Sequence, residues 1–315
     1  MIAIGVDVGG TSIKGAFVNE KGIILSKFSM KVNKQERAEV EVKKLSDIIN
    51  DEIKLHGYKE VKGIGLGIPG ILDMDKGIVI TSPNLPLWDN FDIASFMNKE
   101  TGLPVLINND ANVAALGEAR FGSGKDYKNV IMITLGTGVG GGIIIDNHLY
   151  DGNLHQGGEL GHMVIEVNGR SCGCGRKGCF EAYASATALV KETKRMMSEH
   201  PNSLLHEVAK ELGEIDARNA FIAQKKGDLV ADTLVNEYVM YLSEGLINFC
   251  NIFRPEAFIL SGGVANEGEN LLSRVREYLK LHTYGMKRSP KVDVVLASLG
   301  YDSGKIGAAT LVLDN

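Results

Sequence analysis

Two short passages of this chain share one design, and together they constrain the fold more than any other feature. The first runs Ile2 to Val8, then Gly9-Gly10-Thr11, then Ile13 to Val18. The second runs Val130 to Leu135, then Gly136-Thr137-Gly138, then Val139 to Ile145. Each is a β-branched run, a Gly/Thr turn and a second apolar run, which reads as a β-hairpin. Glycine lets successive backbone N–H groups point to one side, and such a concavity binds anions. The alternative is that strand–glycine–strand is how hairpins generally look. Matching Gly-Thr chemistry at both turns, 127 residues apart (136 minus 9), favours a duplicated phosphate-binding device, one copy on each of two domains.

Between and beyond the hairpins, strand and helix patterns alternate, the mark of an α/β protein. Glu36 to Leu55 places Leu45, Ile48, Ile49 and Ile53 on one helical face. Val61 to Ile68 reads as a buried strand, Phe91 to Thr101 as a helix and Leu103 to Ile107 as a short strand. Asp110 then opens a helix to Phe121, with aspartate a favourable N-cap. The second half is mostly helical: Ser185 to Glu199, Ser203 to Leu212, Asp216 to Lys226, and a long Asp228 to Phe253 ended by Arg254-Pro255. A strand at Ala257 to Leu260, a helix at Glu267 to Leu281, a strand at Val292 to Ala297 and a helix after Ser303 complete the chain. The length of 315 residues suits two domains, and the repeat sets their boundary near Asn108.

Three of the four cysteines lie within eight residues, in His162-x9-Cys172-Gly173-Cys174-x4-Cys179. Imidazole nitrogen and thiolate sulfur are the ligands zinc prefers, and four of them close a tetrahedral shell with no position left for water. His162, Cys172, Cys174 and Cys179 therefore read as a structural zinc knuckle. The alternatives are reduced cysteines in a glycine-rich loop, or a redox pair. Dense Cys/His spacing of this kind points to a reducing compartment. No segment has the apolar length of a membrane span and no secretory leader opens the chain, so the expectation is a cytoplasmic protein. A formal net charge of -5 argues against nucleic-acid binding as the main task. Arg170 to Lys177 and Met286 to Lys291 are basic but sparse.

Several polar residues are candidates for chemistry. Asn108-Asn109-Asp110 falls where a strand gives way to a helix, and ligand sites in α/β sheets gather at such strand ends. An aspartate there can take a proton from a substrate hydroxyl. The alternative is a helix cap and nothing more. Asn84, in Thr81-Ser82-Pro83-Asn84, is either a hydroxyl ligand or a turn residue. Backbone around Gly70 either approaches a ligand or ends a strand. Glu159 and Glu181 flank the knuckle, and carboxylates accept paired hydrogen bonds from the vicinal hydroxyls of a sugar; alternatively they are solvated acids. Asp7 ends the first strand beside the first turn, where a carboxylate can hold Mg²⁺ through water. Lys14 either reaches a phosphate or stands on the surface. Gly262-Gly263-Val264 either takes the adenosine of a nucleotide or is a plain βα turn. Neither a Walker A sequence nor a Gly-x-Ser-x-Gly elbow is present.

Four passages together resemble the ROK family. They are Asp7-Val-Gly-Gly-Thr-Ser-Ile-Lys14, Asn109-Asp110-Ala-Asn-Val-Ala-Ala-Leu-Gly-Glu118, Leu135-Gly-Thr-Gly-Val-Gly-Gly-Gly142, and Gly158-Glu-Leu-Gly-His162 with the cysteine knuckle. Within that family the chain looks most like the bacterial glucokinases. The resemblance covers essentially the whole length. It implies the actin-like, hexokinase-like ATPase fold, with duplicated ribonuclease H-like domains and an interdomain cleft. It implies a small domain of residues 1–108 with about 303–315 returning to it, and a larger domain of 109–302 carrying the knuckle. It implies transfer of the γ-phosphate of ATP, with Mg²⁺, to the 6-hydroxyl of a hexose, glucose first among the candidates. By match of motif, Asp110 is the general base. Asn84, Asn109, Glu159, His162 and Glu181, with backbone near Gly70, hold the sugar. Gly9, Gly10, Thr11, Lys14, Gly136, Thr137 and Gly138 meet the phosphates, and Gly262, Gly263 and Val264 the adenosine. It also implies a homo-oligomer.

The competing readings are few. Kinases for N-acetylmannosamine, N-acetylglucosamine, fructose or allose share these motifs. The family also contains sugar-responsive repressors, but these carry a helix-turn-helix module ahead of the first turn, and Asp7 leaves no room for one. A zinc hydrolase needs an open metal position, which four protein ligands deny. A filament-forming or chaperone ATPase of similar fold has no use for paired acids around a knuckle.

Overall fold

The computed structural model describes residues 1–285, 288 and 291–314, so the basic stretch Met286 to Lys291 lies largely outside the described residues. The elements in order are β1 (Ile2–Val8), β2 (Ser12–Asn19), β3 (Ile24–Lys31), α1 (Ala38–His56), β4 (Val61–Ile68), β5 (Ile71–Asp73), β6 (Ile78–Thr81), β7 (Phe91–Asp92), α2 (Ile93–Thr101), β8 (Val105–Asn109) and α3 (Asp110–Phe121). They continue with β9 (Val130–Leu135), β10 (Val139–Ile145), β11 (His148–Tyr150), α4 (Glu181–Ala184), α5 (Ala186–Glu199), α6 (Leu205–Leu212), α7 (Arg218–Lys225), α8 (Leu229–Phe253), β12 (Ala257–Ser261), α9 (Glu269–His282), β13 (Asp293–Leu296) and α10 (Ser303–Leu313). Two five-stranded sheets run β3-β2-β1-β4-β8 and β11-β10-β9-β12-β13, and a small third sheet runs β5-β6-β7.

The chain divides into two compact units. The first comprises Met1–Lys128, Gly142–Gly158 and Ser298–Asn315, the second Asn129–Gly141 and Glu159–Ala297. The strand–helix junction at residues 108–110 lies inside the first unit. The Gly9–Thr11 turn belongs to the first unit and the Gly136–Gly138 turn to the second.

In the first unit β1, β2 and β3 form an antiparallel meander, and β1, β4 and β8 run parallel. Period-two alternation sorts β1 by size. Ile4, Val6 and Val8 face a large core shared with Val42, Leu45 and Ile49 of α1, Ile93 and Met97 of α2, and Trp88. Ala3 faces the opposite side, where Ala309 and Val312 of α10 pack. The small residues on that side are required. A Cβ at Gly5 or Gly65 would collide with the Lys305 or Ala308 backbone oxygen, so α10 lies directly on the backbone of the sheet.

In the second unit β9, β12 and β13 run parallel. Phe180, Phe221, Phe249 and Phe258 are fully buried among the helices, each worth about 1.5–3 kcal/mol of burial. Asp228, read from sequence as the first residue of the long helix, is its N-cap. Its carboxylate accepts from Ala231 N at 2.7 Å and also from Ser203 Oγ at 2.9 Å. Among the described residues no helix is long and apolar enough to cross a membrane.

Candidate active site

At the end of β8 three consecutive polar side chains organise the entry to α3. Asn109 is the N-cap: its Oδ1 accepts from Ala111 N at 2.9 Å and Asn112 N at 3.4 Å. The cap is thus one residue earlier than the sequence suggested, and Asp110 occupies the first helical position. With the cap supplied by Asn109, the simple alternative for Asp110 loses its force. The Asp110 Oδ1 accepts from the adjacent Ala111 N at 2.9 Å. Asn109 spends its oxygen on the helix, and its Nδ2 donates to no described residue. Beneath them, buried Asn108 Oδ1 accepts from Asn109 N at 2.7 Å and from buried Asn112 Nδ2 at 3.0 Å. Sequence reasoning missed Asn112 as a positioning group. Its spacing, three residues after the cap on the same helical face, was the available signal.

The first glycine turn is closed by backbone hydrogen bonds. Gly9 N donates to Ser12 O and Val32 N to Thr11 O, both at 3.0 Å. The Gly10 and Thr11 amides donate to no described residue, which leaves two adjacent N–H groups for an anion. Asn84 is exposed beside this turn, for a Cβ on Gly10 would stand 3.0 Å from Asn84 Cβ. Gly70 has φ +124, a conformation that favours glycine, and lies against Ser82 of the same polar turn. The first unit therefore brings Gly10, Gly70 and Asn84 into one neighbourhood.

Asp7 stands opposite Lys14 in the β1–β2 register. Burial raises the Asp7 carboxyl above its ordinary value, opposed by the charges of Lys305 and Lys14. Asp7 makes no hydrogen bond or ion pair with any described residue. A carboxylate drawn out of water without a partner is a fitting ligand for a cation. Lys305, which sequence reasoning missed, is a buried lysine whose Nζ bonds Tyr301 O and Asp302 Oδ1, each at 2.8 Å. Lys14 is exposed.

The second glycine turn repeats the logic of the first. Gly136 O accepts from Ala186 N at 2.8 Å, Thr137 O from Thr187 Oγ1 at 2.7 Å and Gly138 O from Gly136 N at 3.0 Å. With all three carbonyls taken, the amides of Thr137 and Gly138 have no described partner. Gly262 follows β12 with φ +87, and any side chain there would run into the backbone of Leu135. β12 pairs in parallel with β9, Ser261 opposite Thr134. Gly262, Gly263 and Val264 thus sit beside the second turn at the carboxyl ends of neighbouring strands, the usual place for a ligand.

The knuckle is a tight hairpin closed by Cys172 N to Arg176 O at 2.9 Å and by a bridge between Ser171 and Lys177. The ligand atoms of His162, Cys172, Cys174 and Cys179 all lie within 4.8 Å of one another. Cys172 Sγ is 3.7 Å from His162 Nδ1, and Cys174 Sγ 3.6 Å from Cys179 Sγ. Two Zn–S bonds of about 2.3 Å at a tetrahedral angle set the sulfurs about 3.8 Å apart, so the donor set fits that ion. All four cysteines are free, and 3.6 Å is far beyond a disulfide bond. Arg170, read from sequence as part of a basic stretch, is paired. It bonds Glu237 at 3.0 Å and Glu192 at 3.3 Å and lies 4.5 Å over the Tyr183 ring. It braces the knuckle against the helices behind it.

The two acids that flank the knuckle differ. Glu159 is exposed and its carboxylate meets no described residue, while its carbonyl accepts from His162 N at 3.1 Å. Glu181, half-buried at the start of α4, is fully engaged. Its Oε2 accepts from Val139 N at 3.1 Å, and its Oε1 is 3.4 Å from Cys172 Sγ.

Comparison with known proteins places these features in context. The ROK family profile matches residues 3–315. A glucokinase of Halalkalibacterium halodurans is 36% identical over 313 residues, which span 98% of this chain and 94% of that protein. The xylose repressor of Bacillus subtilis is 32% identical over 325 residues, 99% of this chain and 77% of that protein. A crystal structure of a ROK family glucokinase from Streptomyces griseus, in complex with glucose and AMPPNP, superposes with a TM-score of 0.80. It has 35% identity and covers 100% of both chains.

Proposed function

We propose, from the premise that this chain belongs to the ROK family, that it catalyses ATP-dependent phosphorylation of a hexose at the 6-hydroxyl, with glucose the leading substrate. The chain is an ATP-dependent sugar kinase of the actin-like, hexokinase-like fold. The observation that carries the reading is full-length likeness to a glucokinase structure bearing glucose and AMPPNP, met here by two glycine turns that each leave two adjacent amides without a described partner, Gly10 and Thr11 in the first and Thr137 and Gly138 in the second.

In phosphoryl transfer the protein does little covalent chemistry; it positions the reactants, spreads charge and orients the nucleophile. In this proposal Asp110 takes the proton of the sugar hydroxyl, at a helix N-terminus where negative charge is favoured. Asn108 and Asn112 hold that junction rigid. Asn84, the Nδ2 of Asn109, backbone near Gly70, Glu159, His162 and Glu181 hold the sugar. The Gly9–Thr11 and Gly136–Gly138 turns, through the free amides of Gly10, Thr11, Thr137 and Gly138 and with Lys14, receive the phosphates, and Gly262, Gly263 and Val264 border the adenosine. Bound Mg²⁺ would neutralise charge on the transferring phosphate, and Asp7 would hold it through water. Zinc on His162, Cys172, Cys174 and Cys179 would be structural, because four protein ligands leave no open position. A cytoplasmic homo-oligomer completes the proposal.

A second reading, a sugar-responsive regulator, is favoured by the likeness to the xylose repressor. One experiment separates the two and ranks the sugars: ADP release from ATP with glucose, mannose, fructose, allose, N-acetylglucosamine and N-acetylmannosamine. The proposal expects glucose turnover well above the rest. ADP release that no sugar stimulates would overturn it, and a faster N-acetylmannosamine reaction would reassign the substrate.

A further inference from the structure

The geometry points to Glu181 as the positioning residue of the second glycine turn, and so as a determinant of nucleotide affinity. The inference rests on the proposal that this turn receives phosphate. Glu181 begins α4, two residues after Cys179 and far in sequence from the turn it touches. Its Oε2 accepts the Val139 N–H at 3.1 Å, the first amide after the turn. The contact to Gly138 is closer still in consequence. A Cβ built on Gly138 would meet no heavy atoms except those of the Glu181 side chain, and would collide with Oε2. Gly138 lies outside the positive-φ residues. Its backbone therefore does not demand glycine, and the Glu181 carboxylate does.

The turn has few other fixed points. Its three carbonyls are held from the α5 side and from within, while the carboxylate is the side-chain anchor on the amide side. By taking the Val139 N–H it directs that peptide plane and leaves Thr137 N and Gly138 N as the free donors. Glu181 has a fixed orientation for this task, since the knuckle leads straight into α4 and Cys172 Sγ stands 3.4 Å from Oε1. A residue expected from sequence to serve only the sugar therefore also shapes the phosphate cradle.

The role needs an acceptor oxygen rather than a charge, and this separates it from sugar recognition. Titration calorimetry of AMPPNP into the protein without sugar reads it directly. Glu181→Ala is expected to weaken AMPPNP about five- to tenfold, the worth of one hydrogen bond of this kind. Glu181→Gln retains an oxygen for Val139 N–H and is expected to stay within about twofold of the unsubstituted protein. Gly138→Ala is expected to cost less affinity in the Glu181→Ala background than alone, because the collision is gone, a coupling that a merely structural role would not produce. AMPPNP affinity unchanged in Glu181→Ala, Gln as weak as Ala, or equal costs of Gly138→Ala in both backgrounds would each overturn the inference. Failure of the unsubstituted protein to bind AMPPNP would instead overturn the kinase reading on which the inference rests.

Discussion

Asp110 and Asn109 divide the work at the β8–α3 junction. Asn109 caps the helix, and in the proposal Asp110 carries the chemistry. Asp110→Asn keeps the shape but removes the base; kcat should fall by at least about a hundredfold while calorimetry still detects sugar binding. Near-normal turnover in a coupled ATP assay would remove Asp110 from the role. Asn109 should respond differently to two substitutions. Asn109→Asp keeps an oxygen for the cap and loses the Nδ2 donor, so KM for sugar rises while the melting temperature holds. Asn109→Ala also loses the cap, at a cost of about 1 kcal/mol in chemical denaturation. The change from strand to helix at this junction was legible in the sequence. The assignment of the cap was not, since Asn109 and Asp110 are both good caps and only backbone geometry decides between them. Lys305 was invisible for a similar reason. Nothing in a closing helix announces that its lysine is buried near the carboxylate of another element.

Elements long enough to show a hydrophobic period were readable, and those too short were not. α1, β4, α3 and α8 follow their apolar patterns closely. β5, β6 and β7 have three, four and two residues, below the length at which alternation means anything. The single turn of α4 was hidden between a glycine-rich knuckle and α5. The knuckle itself was the plainest local signal, and it yields a direct test. Elemental analysis should find about one zinc per chain, and chelation should lower both the melting temperature and sugar affinity. Active protein without metal would contradict this. The segment after β11 offers a pH test. His155 Nδ1 bonds Asp151 Oδ2 at 2.6 Å and Nε2 approaches Asp75 Oδ1 at 3.2 Å. The bond to Asp151 raises the imidazole above its ordinary value, against the opposing effect of burial and with help from Asp75. A raised folded-state value means stability that is complete below the unfolded pKa of about 6.5. It is lost as pH rises through the folded value. The melting temperature should therefore drop between about pH 5.5 and about pH 8.5 by more in the native chain than in His155→Asn. Parallel pH profiles of the two proteins would remove the pair from the stability of this segment.

At the scale of the whole molecule, the chain carries two glycine turns of similar sequence, one in each compact unit. Both leave two adjacent amides without a described partner. The α/β architecture followed from the alternation of strand and helix patterns around them, and likeness to full-length glucokinases agrees with it. The parting of the units was less legible. No composition change marks it, and the chain passes between the units several times, so a boundary inferred from the repeat alone could only be a single cut. The direct test of the central claim, phosphoryl transfer from ATP to a hexose, is phosphorus NMR of the products formed from ATP, Mg²⁺ and glucose. The account predicts ADP and a phosphate monoester on the sugar 6-oxygen in equal amounts. Inorganic phosphate in place of the sugar ester, or unchanged ATP, would contradict it.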